Sequence, residues 1–142
     1  MRRHLEETFD NTTVLENDGD TFYIYDPHGD LPPERQIPFV TIVTGEDWEQ
    51  VANLTEPGAY RLNIGLTKAT YSSLSGTAPE AEVDYAARDK LMPHPTYGGQ
   101  HWVCVVNPSD ATVDALKPLL TEAHEFAARK HANQEARKQT RP

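Results

Sequence analysis

Cysteine is nearly absent from this chain of 142 residues, which contains Cys104 and no other cysteine. A single cysteine excludes a disulfide framework and any metal site built from several thiolates. Cys104 lies within the apolar run Trp102–Val106. We therefore predict that it is a small buried hydrophobic side chain rather than a nucleophile.

Long apolar runs are also missing. No stretch approaches the roughly 18 apolar residues that a membrane-spanning helix needs. The opening segment, residues 1–7, has two arginines but no apolar stretch behind them, unlike a secretion signal. We expect a soluble protein located in the cytoplasm, with no membrane partner.

Positive charge is scarce and unevenly placed in this chain, whose net charge is -9. Residues 1–125 hold 8 Lys and Arg against 21 Asp and Glu, a net charge of -13. Residues 126–142 hold 5 against 1, a net charge of +4. An acidic body repels phosphate backbones, so nucleic acid is an unlikely partner. The basic end either touches an anionic partner or is a solvated, frayed terminus.

The common catalytic motifs are missing as well. The sequence contains no Gly-x-Gly-x-x-Gly, no P-loop, no Gly-x-Ser-x-Gly and no Cys-x-x-Cys. The usual nucleotide-binding, hydrolase and redox mechanisms thus lack their signatures, and we predict no cofactor. The sequence does not specify a reaction.

Residue periodicity, turn residues and capping signals predict the order of secondary structure. The predicted strands span residues 12–16, 21–25, 39–44, 60–64 and 102–107. The predicted helices span residues 2–10, 46–52, 68–74, 83–91 and 117–131. A helical stripe begins near residue 107, but Pro118 lies inside it and predicts a break there.

This order predicts an α+β fold. Runs of antiparallel strands with helices segregated to one side give a two-layer domain. We expect an antiparallel sheet of about five strands, with the N- and C-terminal helices packed on one face. Residues 1–131 are predicted to form one domain and residues 132–142 a flexible basic tail.

Three segments carry a family resemblance: Asp26–Thr44, Tyr60–Gly65 and Met92–Tyr97. Together they resemble a bacterial domain family of unknown function, over a region from about Thr21 to His131. This resemblance implies little about activity, because the family has no assigned function.

A more distant likeness is to the YjbR/MmcQ-like domains. It is carried by Arg61–Thr67, where a strand ends at a helix cap, and by Pro95–Tyr97 shortly before His101 and Trp102. The resemblance implies a double-wing, frataxin-like α+β fold. It does not imply a particular chemistry, because fold alone does not fix function.

The most interesting side chains concentrate in the loop of residues 92–102. They are His94, Tyr97, Gln100, His101 and Trp102. Two prolines stiffen this loop, and two adjacent glycines let its backbone approach a ligand closely. The alternative is that these histidines mainly satisfy loop hydrogen bonds or packing.

Arg61 and Asn63 alternate with apolar residues, so both side chains leave the same face of their strand. An arginine beside an amide is suited to a carboxylate or phosphate oxygen. The alternative is a solvated sheet face on which Arg61 pairs with a surface carboxylate. We predict a ligand-binding set of six residues: Arg61, Asn63, His94, Tyr97, His101 and Trp102.

His94 and His101 are also the candidates for catalysis, as an acid, a base or two metal ligands. A metal would need a third ligand, for which Asp26, Glu122 and His124 are available. Their spacing matches no recognised metal motif, so we predict no metal site.

Three functions remain open at this point. The first is a non-catalytic binding module for a small molecule or a protein partner, which the residues favour. The alternative is a small enzyme that uses His94 or His101, and a less favoured reading is a DNA-binding double-wing protein. If there is one functional pocket, it should lie between the loop of residues 92–102 and the strand of Arg61 and Asn63.

The charge distribution makes a direct prediction for DNA. We expect negligible affinity near physiological salt, because the net charge of -13 on residues 1–125 repels the phosphate backbone. An anisotropy titration with duplex DNA measures this. Sub-micromolar binding that survives removal of residues 132–142 would contradict the prediction.

Overall fold

The structure is an antiparallel sheet of six strands with helices at both ends of the chain. It is a computed structural model. It describes residues 2–17, 19–32, 35–44, 59–74, 87–95 and 97–140. Within these ranges the α-helices are α1 (Arg2–Thr8), α2 (Lys68–Leu74) and α3 (Asp110–Thr140). Its strands are β1 (Thr12–Asn17), β2 (Asp20–Tyr25), β3 (Val40–Val43), β4 (Arg61–Gly65), β5 (Met92–Pro93) and β6 (Trp102–Val106).

The strands lie in the order β1-β2-β3-β4-β6-β5, and every neighbouring pair is antiparallel. The predicted β1–β2 hairpin is confirmed, with Asn17 opposite Asp20 at its turn. Gly19 in that turn has φ 87°, in the left-handed region that glycine adopts without strain. The α+β class is therefore confirmed, with one more strand than expected. The extra strand is β5, two residues long, which the sequence placed in an irregular loop.

One face of the sheet carries the main hydrophobic core. Strand alternation directs Tyr23, Val40, Ile42, Leu62 and Ile64 to this face, where all five are buried. The terminal helices cover it. Helix α1 contributes Leu5, and helix α3 contributes Leu116, Leu120 and Ala123. Both terminal helices therefore pack on the same side of β4, as the sequence predicted.

Helix α3 runs without interruption from Asp110 to Thr140, so the predicted break at Pro118 is wrong. Proline removes one backbone hydrogen bond and costs about 3 kcal/mol in a helix interior. Leu116 and Leu120, on either side of it, are 3% and 0% exposed. Burying each leucine contributes about 1.5–3 kcal/mol, so packing outweighs the lost bond. The helix extends to Thr140 and so includes most of residues 132–142, the segment predicted to be a flexible basic tail.

The other helix predictions have mixed outcomes. Helix α2 begins after Thr67, whose Oγ1 accepts a hydrogen bond from Thr70 N at 3.3 Å, as the capping prediction required. The predicted helix 46–52 lies outside the described residues, as does most of 83–91. The described end of the latter, residues 87–91, is not helical. Asp89 there has φ 58°, which a right-handed helix does not accommodate.

Pro118 is exposed on α3, so its replacement tests the helix without disturbing the core. We expect Pro118→Ala to raise the free energy of unfolding by about 1–2 kcal/mol, because the restored backbone hydrogen bond outweighs the entropy that the unfolded chain regains. Urea unfolding followed by circular dichroism measures the change.

The matched control is Ala115→Gly, on an exposed position of the same helix. It should lower the free energy of unfolding by about 1 kcal/mol. A loss of stability in Pro118→Ala would mean instead that the core packing depends on the backbone shape that proline imposes.

Candidate functional site

The second face of the sheet is also buried where β3, β4 and β6 lie side by side. Asn63 is paired with Thr41 on one neighbour and with Cys104 on the other. Arg61 is likewise paired with Val43 and Val106. Strand alternation turns all of these side chains away from the helices. This face is therefore not the solvated surface that the alternative interpretation described, since Arg61 and Asn63 are only 2% and 3% exposed.

A pocket of about 410 Å³ opens on this second face. The strands β2, β3, β4 and β6 form its floor, and the loop between β5 and β6 forms one wall. Its described lining residues are Phe22, Ile37, Pro38, Thr41, Val43, Arg61, Asn63, His94, Tyr97, Gln100 and Trp102. We call this cavity the β4 pocket.

The structure brings five of the six predicted ligand-binding residues to the β4 pocket. Arg61 and Asn63 come from β4, and His94, Tyr97 and Trp102 come from the segment of residues 92–102. His101 is the exception and is not among the described lining residues. Its ring lies edge-on to Tyr71, with 5.6 Å between ring centroids, and its backbone has φ 71° where the 3-10 turn Gly98–Gln100 ends.

Backbone hydrogen bonds hold His94 in place. Its own N–H donates to Trp102 O on β6, and its carbonyl accepts from Gly98 N, each at 3.0 Å. Its ring is fixed too, because the backbone N–H of Tyr97 donates to Nδ1 at 3.0 Å. An imidazole that accepts at Nδ1 carries its proton at Nε2 when it is neutral. These are the loop hydrogen bonds that the alternative interpretation assigned to this histidine.

The other ring nitrogen of His94 faces Arg61. The distance from Nε2 to Arg61 Nη2 is 3.5 Å. Burial first, and the positive charge of Arg61 second, together lower the pKa of His94 to about 4. At neutral pH the imidazole is therefore uncharged. Two N–H donors, one charged and one neutral, lie side by side in the β4 pocket.

Asn63 supplies a hydrogen-bond acceptor. Its Nδ2 donates to Thr41 Oγ1 at 2.8 Å. Its Oδ1 is buried and has no hydrogen-bond partner among the described residues. A buried polar atom left in that state costs about 1–3 kcal/mol. Because Asn63 lines the β4 pocket, a ligand that enters it can satisfy this acceptor.

Gly65 determines where the indole of Trp102 lies. The two residues are paired across β4 and β6. A Cβ atom at position 65 would lie 2.9 Å from Trp102 Cε2 and Cζ2. The absence of a side chain therefore lets the indole pack directly against the strand, where it lines the pocket.

Sequence reasoning missed the residues contributed by β2, β3 and their connection. Phe22 and Thr41 are cross-strand partners on the pocket face, but their register with β4 is not visible in the sequence. Ile37 and Tyr97 at the pocket are 68% and 49% exposed. The sequence offers no usable signal for Ile37, because single exposed apolar residues are common on protein surfaces.

The alternative metal ligands have other roles in the structure. Asp26 accepts backbone hydrogen bonds from Asp30 and Leu31, and Glu122 bonds to Thr70. The ring of His124 stacks on Phe9 with 4.9 Å between centroids. Within the part of the chain that the structure describes, no group of three His, Cys, Asp or Glu residues is placed to hold a metal ion. Cys104, as predicted, is fully buried.

The fold and the pocket together define an antiparallel α+β protein with a concave, partly polar site on the sheet face opposite α1 and α3. No helix in the described ranges combines the length and apolar character that crossing a membrane requires. The chain belongs to a family of unknown function, DUF6194, whose family model matches residues 1–136. No curated protein and no solved structure matches the chain. The resemblance to a family of unknown function is confirmed, whereas the likeness to YjbR/MmcQ domains gains no support.

The buried position of His94 predicts a pH dependence. Its pKa is about 4 in the folded chain and near 6.5 in the unfolded chain. The unfolded state therefore binds the proton first as pH falls. The free energy of unfolding is therefore highest above pH 6.5. It decreases by up to about 3 kcal/mol as pH falls towards 4.

Urea unfolding of the wild type and of His94→Gln, at pH 7 and pH 5, isolates this contribution. The glutamine variant should lose less stability between the two pH values than the wild type does. An NMR titration that finds the His94 imidazole protonating near pH 6.5 would contradict the buried, neutral state.

Proposed function

We propose that this chain is a non-catalytic binding protein for a small molecule, which it holds in the β4 pocket. One observation carries the proposal. Arg61 and Asn63 are almost fully buried, yet both line a cavity of about 410 Å³. Small-molecule sites are commonly cavities of about 300–1,000 Å³ with apolar walls and a few convergent polar groups.

The shape of the site favours a small molecule over a protein partner. The polar groups lie at the floor of a concave site, on the strands, rather than on a broad exposed surface. Ile37 and Tyr97 are the exposed apolar side chains at the pocket. Apolar side chains of this kind contact the apolar part of a ligand, while the buried polar side chains orient its polar groups.

The catalytic alternative receives less support from the same geometry. A general base works best with a pKa near the operating pH. His94 has a pKa of about 4, and its Nδ1 already accepts a hydrogen bond from Tyr97. His101 is not among the described lining residues. We therefore assign binding and orientation, not proton transfer, to these side chains.

A cytoplasmic location is part of the proposal. The lone cysteine is consistent with a compartment in which thiols stay reduced, since exported small domains often depend on disulfides.

Gln100 offers a way to close the pocket without altering its floor. It is exposed, ends the 3-10 turn and lines the pocket. We expect Gln100→Trp to weaken binding of fragments at least tenfold, because the indole occupies the opening. Ligand-observed NMR with a fragment library, applied to wild type and variant, measures the loss.

Asn133→Trp is the matched control, since it adds the same side chain to an exposed position of α3. Both variants should melt within a few degrees of the wild type, and the control should keep every fragment. The proposal fails if the wild type binds no fragment, or if its fragments bind Gln100→Trp equally well.

A further inference from the structure

Helix α3 extends well beyond the hydrophobic core that it covers. Its described core side chains lie between Leu116 and Ala127, but the helix continues to Thr140. The last residues of a chain fray unless other contacts hold them in place. The contacts made by this C-terminal part of α3 therefore indicate what it does.

Arg35 binds the C-terminal part of α3 from another segment of the chain. Its Nε donates a hydrogen bond to Gln134 Oε1 at 3.1 Å, and its Nη2 donates to the same oxygen. Its Nη1 lies 3.5 Å from Glu135 Oε1. Three nitrogens of one planar guanidinium thus contact two successive helix residues. This arrangement orients Arg35 more closely than a single ion pair with a lysine would.

Aromatic rings from the end of β2 approach the preceding turn of α3. The ring centroid of His131 lies 5.5 Å from that of Tyr25 and 6.0 Å from that of His28. His131 Nε2 also lies 3.9 Å from Glu135 Oε1, one turn further along the helix. The C-terminal part of α3 therefore contacts the chain near the end of β2 at several points.

Arg35 also begins the short segment that forms a wall of the β4 pocket. We call residues 35–38 the wall segment, because Ile37 and Pro38 line the pocket. The carbonyl of Arg35 accepts a hydrogen bond from Ile37 N at 3.0 Å. The next residue, Phe39, donates its N–H to β2 at 2.9 Å. The wall segment is thus attached to α3 at one end and to the sheet at the other.

The wall segment connects the two faces of the sheet. Helix α3 packs on the face of Leu62 and Ile64, whereas the β4 pocket opens on the opposite face. Ile37 is 68% exposed, so the packing of its own side chain does little to fix its position. The contacts of Arg35 on the helix side can therefore determine where the wall lies on the pocket side.

We infer that Gln134 and Glu135 are positioning residues for the β4 pocket. Through Arg35 they hold Ile37 and Pro38 where a ligand contacts them. This inference rests on the proposed function, since it concerns a wall of the same pocket. It gives the C-terminal part of α3 a role in binding rather than in the stability of the core.

The weakness of the individual contacts is compatible with this role. An exposed ion pair contributes little to the stability of a whole domain. The local opening of a short surface segment, however, costs much less free energy than unfolding the sheet. A few surface contacts are therefore enough to hold the wall segment, and their loss should leave the rest of the fold unchanged.

Two substitutions of Gln134 separate positioning from helix stability. Gln134→Ala removes the oxygen that accepts both hydrogen bonds from Arg35. Gln134→Glu replaces it with a carboxylate, which accepts such bonds more strongly. Alanine and glutamate both favour helices, so neither substitution should disturb α3 itself. Asn133→Ala is the matched control, because it truncates the exposed neighbour of Gln134.

The mobility of the wall segment is measured by the backbone order parameter of Ile37 from ¹⁵N relaxation. It should be close to about 0.85, the value of rigid backbone, in the wild type, Gln134→Glu and Asn133→Ala. It should be clearly lower in Gln134→Ala. All variants should melt within a few degrees of the wild type, since both substituted positions are exposed.

The affinity of the library fragments, measured by NMR on the same four proteins, tests the link to binding. Gln134→Ala should weaken it by about threefold to tenfold, the factor that one net hydrogen bond supplies. The reason is that a loosened wall is in its binding position for only part of the time. Gln134→Glu and Asn133→Ala should bind as the wild type does.

Four outcomes would overturn the inference. An unchanged Ile37 order parameter in Gln134→Ala would show that α3 does not position the wall. A mobile Ile37 with unchanged fragment affinity would show that the wall does not contribute to binding. A large fall in melting temperature in Gln134→Ala would make the contact a structural one, and a loosened wall in Gln134→Glu would exclude the hydrogen bonds as its cause.

The failure of the proposed function would look different. In that case the wild type binds no fragment, while the order parameters still decide whether α3 positions residues 35–38. If fragments bind the wild type and Gln134→Ala equally well, the pocket remains a small-molecule site and only the positioning role is wrong.

Discussion

Antiparallel pairing of β4 between β3 and β6 is the constraint on which the rest of the structure depends. Pairing on both edges buries the strand. Its successive side chains point to opposite faces of the sheet, and the two faces have different functions. Leu62 and Ile64 anchor the helices on one face, while Arg61 and Asn63 occupy the other. A strand with apolar residues on both faces would add stability. This one gives up part of that stability to place a cation and an amide inside the protein.

The sequence predicted most of the fold because its signals are local. Strand alternation, the turn at Gly19 and the cap at Thr67 each act within a few residues. The error at Pro118 arose because a local rule was applied where tertiary packing decides. Leu116 and Leu120 pack against residues of the sheet that are far away in the sequence. A local sequence pattern therefore does not reveal how much those contacts stabilise the helix.

The candidate site was predictable only in part, for a related reason. Arg61, Asn63 and the loop residues share short stretches of chain, so composition and alternation point to them. Phe22 and Thr41 reach the pocket through strand register, which depends on pairing between distant segments. His101 was grouped with His94 by proximity in sequence. The 3-10 turn lies between them, and the His101 ring packs against Tyr71, whereas His94 lines the pocket.

The contact between Gly65 and Trp102 also has a consequence for variation within the family. Because a single methyl group at position 65 would displace the indole, glycine and tryptophan at these two positions form one unit that sets the size of the cavity. Relatives with a larger residue at the first position should carry a smaller one at the second. Such paired changes would alter how bulky a ligand the site admits while leaving its polar floor intact.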